Sequence, residues 1–269
     1  PRGFITLIGA GPGPADLLTL RALEHLRKAD LVIADPDVHS QVLALVPHKK
    51  LHIPPFSYHP KTKAKFQEEA LDTCLKALAR GKEVVRLYVG DPFVFARGAE
   101  EVKAFRDNGY EPTIVPGLTA ATAVTANAFI PLTHRGLADQ IVVLSGGAEN
   151  TKLSHVPHYY DKRTTVVLNA VGNLTTVVEL LLAAGYPKDV PAAVVEKGCW
   201  GNAGGGERRL DATLETIHKE VERRRVSGPA VLVIGHTVGY SKMVKPELLK
   251  DRPVETGDVG QLLGNLELD

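Results

Sequence analysis

Apolar and polar positions along the chain alternate in two ways, short continuous apolar runs and longer stretches of helical spacing, and this pattern predicts an α/β protein. Phe4 to Ile8 is an apolar run, GAGPGP turns, Leu17 to Arg27 carries helical spacing, and Leu31 to Ala34 is apolar again. That βαβ opening argues for a parallel sheet. A polar helix from about Lys63 to Arg80 leads to a strand at Val84 to Leu87, and a helix at Glu100 to Asn108 leads to a strand at Pro112 to Val115. Residues 118 to 128 are small and helical. The pattern then restarts, with strands at 140–144, 165–169, 192–195 and 230–234 and helices at 175–184 and 214–225. The expectation is two α/β domains with mainly parallel sheets, residues 1–136 and 137–244, followed by a terminal extension at 245–269.

Glycine and proline break the runs at GAGPGPADLLTL, GDPFVFARGAEE and PGLTAATA, with IPLTHRG close behind. Loops that follow strands of an α/β sheet lie at its carboxyl end, where such folds bind ligands. GAGPG with Asp35 at the end of the second strand is compatible with a dinucleotide loop and its ribose-binding acid. The spacing lacks the third glycine, however, and that reading leaves GDPFVFARG without a task. Any one such loop is as readily a tight turn.

Composition narrows the partners. Of 269 residues 44% are hydrophobic and 23% charged, ordinary globular values, and a net charge of +1 gives no reason to expect nucleic acid or an anionic membrane. No apolar run approaches a membrane span, and nothing at the start resembles a signal peptide. Two cysteines, Cys74 and Cys199, are too few for a metal cluster and read as buried reduced thiols of a cytoplasmic protein. The partner expected is a small molecule, and an anionic one must be held by local charge.

Taken in order, the three loops and IPLTHRG resemble the tetrapyrrole methylase family, and most closely its uroporphyrinogen-III C-methyltransferases. The resemblance covers roughly residues 3 to 240, with RTTVVL, PAAVVEKG and PAVLVIG in the expected order. It implies a homodimer of two-domain α/β chains, with S-adenosylmethionine in the cleft between the halves. It also implies conversion of uroporphyrinogen III to precorrin-2 by way of precorrin-1, in sirohaem and cobalamin synthesis. Carried over by position, the cofactor contacts are Pro12, Val89, Gly90, Asp91, Val94, Thr119, Ala120, Asn169 and Gly198. Asp35 stands where the family's proposed base does, a strand-end turn residue being its blander reading. Asp91 reads as a loop brace through its side chain. Arg97 and Arg135 are the candidates for gripping substrate carboxylates, with pairing to Glu100 or Glu101 the competing role for Arg97. His134 reads as a structural histidine.

The chain departs from the family at four places. The family has Asp-Arg at Asp35-Pro36, Lys-Gly at Tyr88-Val89, Gly-Lys-Arg at Pro54-Pro55-Phe56, and a methionine near Asn169. Three of these changes remove a cation, and an octacarboxylate brings about eight negative charges that are costly to bury unpaired. Lys61, Lys63 and Lys65 lie near the lost lysine. An acceptor less anionic and more aromatic is therefore an alternative, with Tyr88 as a substrate-binding residue beside Phe56 and Tyr58. A protein-histidine methylase of the diphthine synthase kind shares VGDPF but fits less of the chain. From another class, a non-catalytic S-adenosylmethionine-binding regulatory domain is the alternative to an enzyme.

Overall fold

The four apolar runs expected as strands in the first 115 residues form one sheet together with a fifth, two-residue strand that the pattern did not show, and every pairing in it is parallel. The computed structural model describes residues 2–55, 60–147, 155–201 and 206–243. Phe56, Tyr58, the side chains of Lys61 and Lys63, and the extension at 245–269 lie outside the described residues. The elements of the first unit are β1 (Phe4–Gly9), α1 (Leu20–Lys28), β2 (Leu31–Ala34), α2 (Ser40–Leu43), β3 (Leu51–His52), α3 (Pro60–Leu78), β4 (Glu83–Tyr88), α4 (Gly98–Asp107) and β5 (Thr113–Val115). The strand order is β3-β2-β4-β1-β5.

Side-chain alternation along the strands builds two apolar layers. Ile8, Val32, Val85 and Leu87 meet Ala22 and Leu26 of α1 and Val42 of α2. Ile5, Leu7, Ile33, Val84 and Tyr88 meet Ala70, Cys74 and Leu78 of α3 and Phe105 of α4 on the other face. Local chemistry starts the helices where the sequence asks for it: the Thr19 hydroxyl accepts the Ala22 N–H at 3.1 Å, and Pro60 occupies a first helical position that needs no N–H donor. The neighbours β1 and β4 send their crossovers to opposite faces, β1 through α1 and β4 through α4. Their carboxyl ends thus form a topological switch point, the ligand crevice of an open α/β sheet.

The second unit contains α5 (Ala120–Asn127), β6 (Gln140–Ser145), β7 (Arg163–Leu168), α6 (Leu174–Ala183), β8 (Pro191–Glu196), β9 (Arg208–Thr213), α7 (Ile217–Arg223) and β10 (Ala230–Ile234). Chain packing divides the molecule between Thr119 and Ala120, not at 136/137 as the restart of the pattern suggested. The reason is α5, whose buried Ala121, Val124 and Thr125 belong to a helix packed against β7 and β10. The sheet also departs from expectation. Its order is β6-β7-β10-β8-β9, and only β6 with β7 is parallel, the other three pairings being antiparallel.

Strand β9 escaped the sequence pattern because its ERRLDAT stretch is charged, as edge strands commonly are. Arg208 on it pairs with Glu196, which is 2% exposed and also accepts the N–H and hydroxyl of Ser227 at 2.8 and 3.1 Å. Burial works against the Glu196 carboxylate, yet these donors outweigh it and hold its pKa below the ordinary 4.5. A lowered folded pKa gives stability that is complete above the unfolded value and is lost as pH falls through the folded one. Glu196→Gln should lower the urea midpoint at neutral pH and flatten the wild-type loss of stability below about pH 4.5. Equal acid slopes for the two proteins would show that this pair does not supply the dependence.

Candidate active site

Three strand ends meet at glycine. Gly9 closes β1, Gly90 follows β4 and Gly117 follows β5, and the registers Gly9 with Tyr88 and Ile8 with Val115 bring their loops to one end of the sheet. A β-carbon on Gly9 would stand 2.6 Å from the Gly117 Cα, and one on Gly117 would stand 2.7 Å from the Gly9 Cα. No larger residue fits either position without moving backbone. The loops then bond each other: the Gly11 N–H donates to the Gly90 carbonyl at 3.1 Å, and the Gly90 N–H to the Gly11 carbonyl at 2.9 Å. Gly11 and Gly90 both take left-handed φ, +76° and +68°.

Asp91 ties in the third loop. Its carboxylate accepts the Phe93 N–H at 2.8 Å and the Gly117 N–H at 3.0 Å, so its side chain braces the loops. Val94 donates its N–H back to the Asp91 carbonyl, and Pro12 lies half-buried in the β1 loop. Val89 does not adopt a left-handed φ and its side chain is exposed, so the chain accepts a β-branched residue here without strain. Phe93, Phe95 and Leu118 are exposed beside this loop system, and Phe95 sits at a left-handed φ of 52°.

Below the loops lies a charged side chain that the sequence reading passed over. Arg86 stands in the middle of the apolar VVRLYV run and is 2% exposed. Alternation puts it on the same face as Tyr88, and puts Asp35 on the face of Ile33, so the two meet: Arg86 Nη2 donates to Asp35 Oδ1 at 2.6 Å. Its Nε donates to both Glu101 oxygens at 3.1 and 3.3 Å, and its Nη1 to the carbonyls of Ile33 and Leu87 at 3.3 and 3.2 Å. Burial opposes the Arg86 charge, but Asp35 and Glu101 more than offset it and the guanidinium stays protonated. Burial also raises the Glu101 pKa against the pull of Arg86 and Tyr88, and pushes the Cys74 thiol up to about 12. Asp35 itself is partly exposed, and its Oδ2 has no hydrogen-bond partner among the described residues.

Tyr88, expected on the substrate side, is instead buried. It is 1% exposed in the α3/α4 layer, and its hydroxyl donates to Glu101 at 2.6 Å. A lysine lost at this position is therefore lost from the interior and not from a substrate wall. Arg97 keeps its candidacy on different grounds: Glu101 is taken by Arg86, and Arg97, exposed just before α4, has no ion pair among the described residues.

In the second unit β6, β7 and β8 run the same way, β7 and β8 through their shared antiparallel partner β10. Asn169 follows β7 at φ 55°, and Gly198 follows β8 between Lys197 and Cys199, both also left-handed. A β-carbon on Gly198 would stand 2.7 Å from Val124 Cγ2 of α5, the helix that Ala120 opens. Asn169, Gly198 and α5 therefore gather at one edge. Arg135 does not join them. The His134–Ala138 turn feeds the amino end of β6, which places Arg135 at the opposite edge, on the order of 16 Å along a six-residue strand. There it lines a cavity of about 430 Å³ with Lys162 and Asp139, while His134 packs on the ring of Tyr240.

A doubly wound sheet with glycine loops at its switch point and a strand-end carboxylate defines an α/β ligand-binding crevice, and comparison gives the family. The chain belongs to the Tetrapyrrole (Corrin/Porphyrin) Methylases, whose pattern matches residues 5–218. The uroporphyrinogen-III C-methyltransferase of Saccharomyces cerevisiae is 36% identical over 247 residues, 92% of this chain and 40% of the relative. The uroporphyrin-III-C-methyltransferase of Thermus thermophilus superposes with a TM-score of 0.74 at 32% identity, over 90% of this chain and 96% of that one. A structure of the Thermus enzyme complexed with S-adenyl homocysteine gives a TM-score of 0.71 at 34% identity, over 88% and 100% of the two chains. The chain spans about half the length of the curated relatives it matches.

The loop contacts predict two stability effects. Gly117→Ala should lose about 3 kcal/mol in urea unfolding because backbone must move, whereas Gly172→Ala, where a β-carbon meets nothing within 4 Å, should change stability by no more than about 0.5 kcal/mol in either direction. Asp91→Ala should lose about 1–3 kcal/mol by leaving two loop N–H groups without their acceptor. A loss as small as that of Gly172→Ala would mean that Asp91 does not hold the loops.

Proposed function

We propose that this chain is an S-adenosylmethionine-dependent C-methyltransferase that converts uroporphyrinogen III to precorrin-2 by way of precorrin-1. The observation that carries the reading is Asp35, a carboxylate at the mouth of the first sheet with one oxygen anchored and the other open. Family membership and the relatives named above support the choice of reaction.

The loops of the first unit suit the donor. A β-carbon on Gly90 would meet nothing closer than 3.9 Å, so the backbone there is open to a ligand, and exposed Val89 and Leu118 offer apolar surface to an adenine ring. Pro12, Val89, Gly90, Asp91, Val94 and Thr119 are the residues proposed to hold it, mostly through backbone. When bound, S-adenosylmethionine supplies an activated sulfonium methyl group. The open oxygen of Asp35 takes the proton that the macrocycle gives up at the methylated carbon. Arg97, exposed and without a carboxylate partner among the described residues, is proposed to grip a substrate carboxylate.

With Tyr88 assigned to the interior, the shortage of substrate-side cations reduces to Pro36 and the Pro55-Phe56 pair, which supports keeping the anionic tetrapyrrole as acceptor. Homodimeric assembly belongs to the same proposal on the strength of the family resemblance, and light scattering of the purified chain tests it. A cytoplasmic setting is proposed from the two free buried thiols.

Incubation with uroporphyrinogen III and S-adenosylmethionine should yield a fluorescent dimethylated product. Asp35→Asn should lower kcat by about 10²-fold or more while calorimetry finds S-adenosylhomocysteine affinity unchanged. Full activity in that variant would leave Asp35 a structural role only, and donor binding without turnover in the wild type would support a regulatory domain.

A further inference from the structure

We propose that Arg86 is a positioning residue for the methyl transfer, anchoring one oxygen of Asp35 and, because it is shared with Glu101, setting how readily the other oxygen takes a proton. This rests on the reaction assigned above to Asp35.

The guanidinium has almost no freedom of its own. Bonds to the Ile33 and Leu87 carbonyls fix it to β2 and β4, and the Tyr88 and Phe66 rings lie 4.5 and 5.8 Å from its carbon. A planar fork so held points its Nη2 at one place, and Asp35 Oδ1 occupies that place at 2.6 Å. The main chain of Asp35 is held too, by its N–H to the Leu87 carbonyl at 2.9 Å and by Pro36, which biases the preceding residue toward extended backbone. Both ends of the side chain are thus fixed, and only Oδ2 remains to exchange a proton.

Charge explains the second part. Among the described residues the titratable groups facing Arg86 are Asp35 from the end of β2, Tyr88 from β4, Glu101 from α4 and Cys74 from α3. Strand β1 faces it with Ile5 and Leu7. One cation therefore serves two carboxylates. Where the family resemblance places a lysine, this chain has Tyr88, which donates a hydrogen bond to Glu101 but brings no charge. Neutralisation then falls to Arg86 alone, and the two carboxylates compete for it.

Glu101→Gln keeps the shape and removes the competing charge. Arg86 then answers to Asp35 alone, so the acid limb of the kcat–pH profile should move down by about one unit. The plateau should fall, since a weaker base accepts the proton less readily, while KM for both substrates stays within about twofold. Carbon-13 titration of the Asp35 carboxyl should show the same downward shift. In the wild-type chain the Asp35 signal should also report a second inflection where Glu101 titrates, which keeps the test open if the variant does not fold. An unmoved Asp35 midpoint in folded Glu101→Gln, or a wild-type titration with a single inflection, overturns the proposal whatever the turnover. Absence of methyl transfer by the wild-type chain overturns the assigned reaction and the positioning role with it.

Discussion

A guanidinium buried among apolar side chains must be neutralised, because an unpaired charge in that setting is destabilising by several kcal/mol. Arg86 imposes this condition on the first unit. Its partners come from three separate segments, the end of β2, the strand β4 itself and the first turns of α4, and none of them can shift without leaving a charge or a carbonyl unsatisfied. The pair with Asp35 therefore does more than hold the fold together. It ties a carboxylate at the sheet's ligand-binding end to the centre of the packed layer.

Above that layer the constraint is steric. Backbones at Gly9 and Gly117 touch where side chains would otherwise stand, and the β1 and β4 loops bond each other through Gly11 and Gly90. Three loops are consequently fixed by contact and by the Asp91 carboxylate, and the rim they present is open backbone flanked by Val89, Phe93, Phe95 and Leu118. Such a surface suits a flat, largely apolar ligand with polar edges. In the proposed methyl transfer the charged hub beneath it handles the proton and the apolar rim above it supplies the shape.

Much of this was legible in the chain. Strands β1, β2, β4 and β5, the helices α1, α3, α4 and α6, the glycine loops, the place of Asp35 at a strand end and the bracing part of Asp91 all follow from periodicity, turn chemistry and resemblance. Elements whose signal is tertiary were harder to see. Strand β9 is written in charged residues because it lies at an edge, and β3 is only two residues long. Helix α5 reads as small and neutral, and nothing in its own residues says which sheet it packs against. Tyr88 was misplaced for a similar reason. A residue beside GDP looks like part of a ligand loop until the strand is known to run one residue farther, which turns that side chain inward.

The amino-acid order alone determined which segments become strands and helices, which loops must bend through glycine, and the family to which those loops belong, since these follow from local sterics and spacing. It could not decide where Arg86 sends its hydrogen bonds, which unit owns α5, or that Arg135 and Asn169 lie at opposite edges of one sheet. Those are outcomes of strand register and face. A period of two puts residues fifty positions apart side by side or on opposite sides according to how the strands align, and only the packed structure settles the alignment.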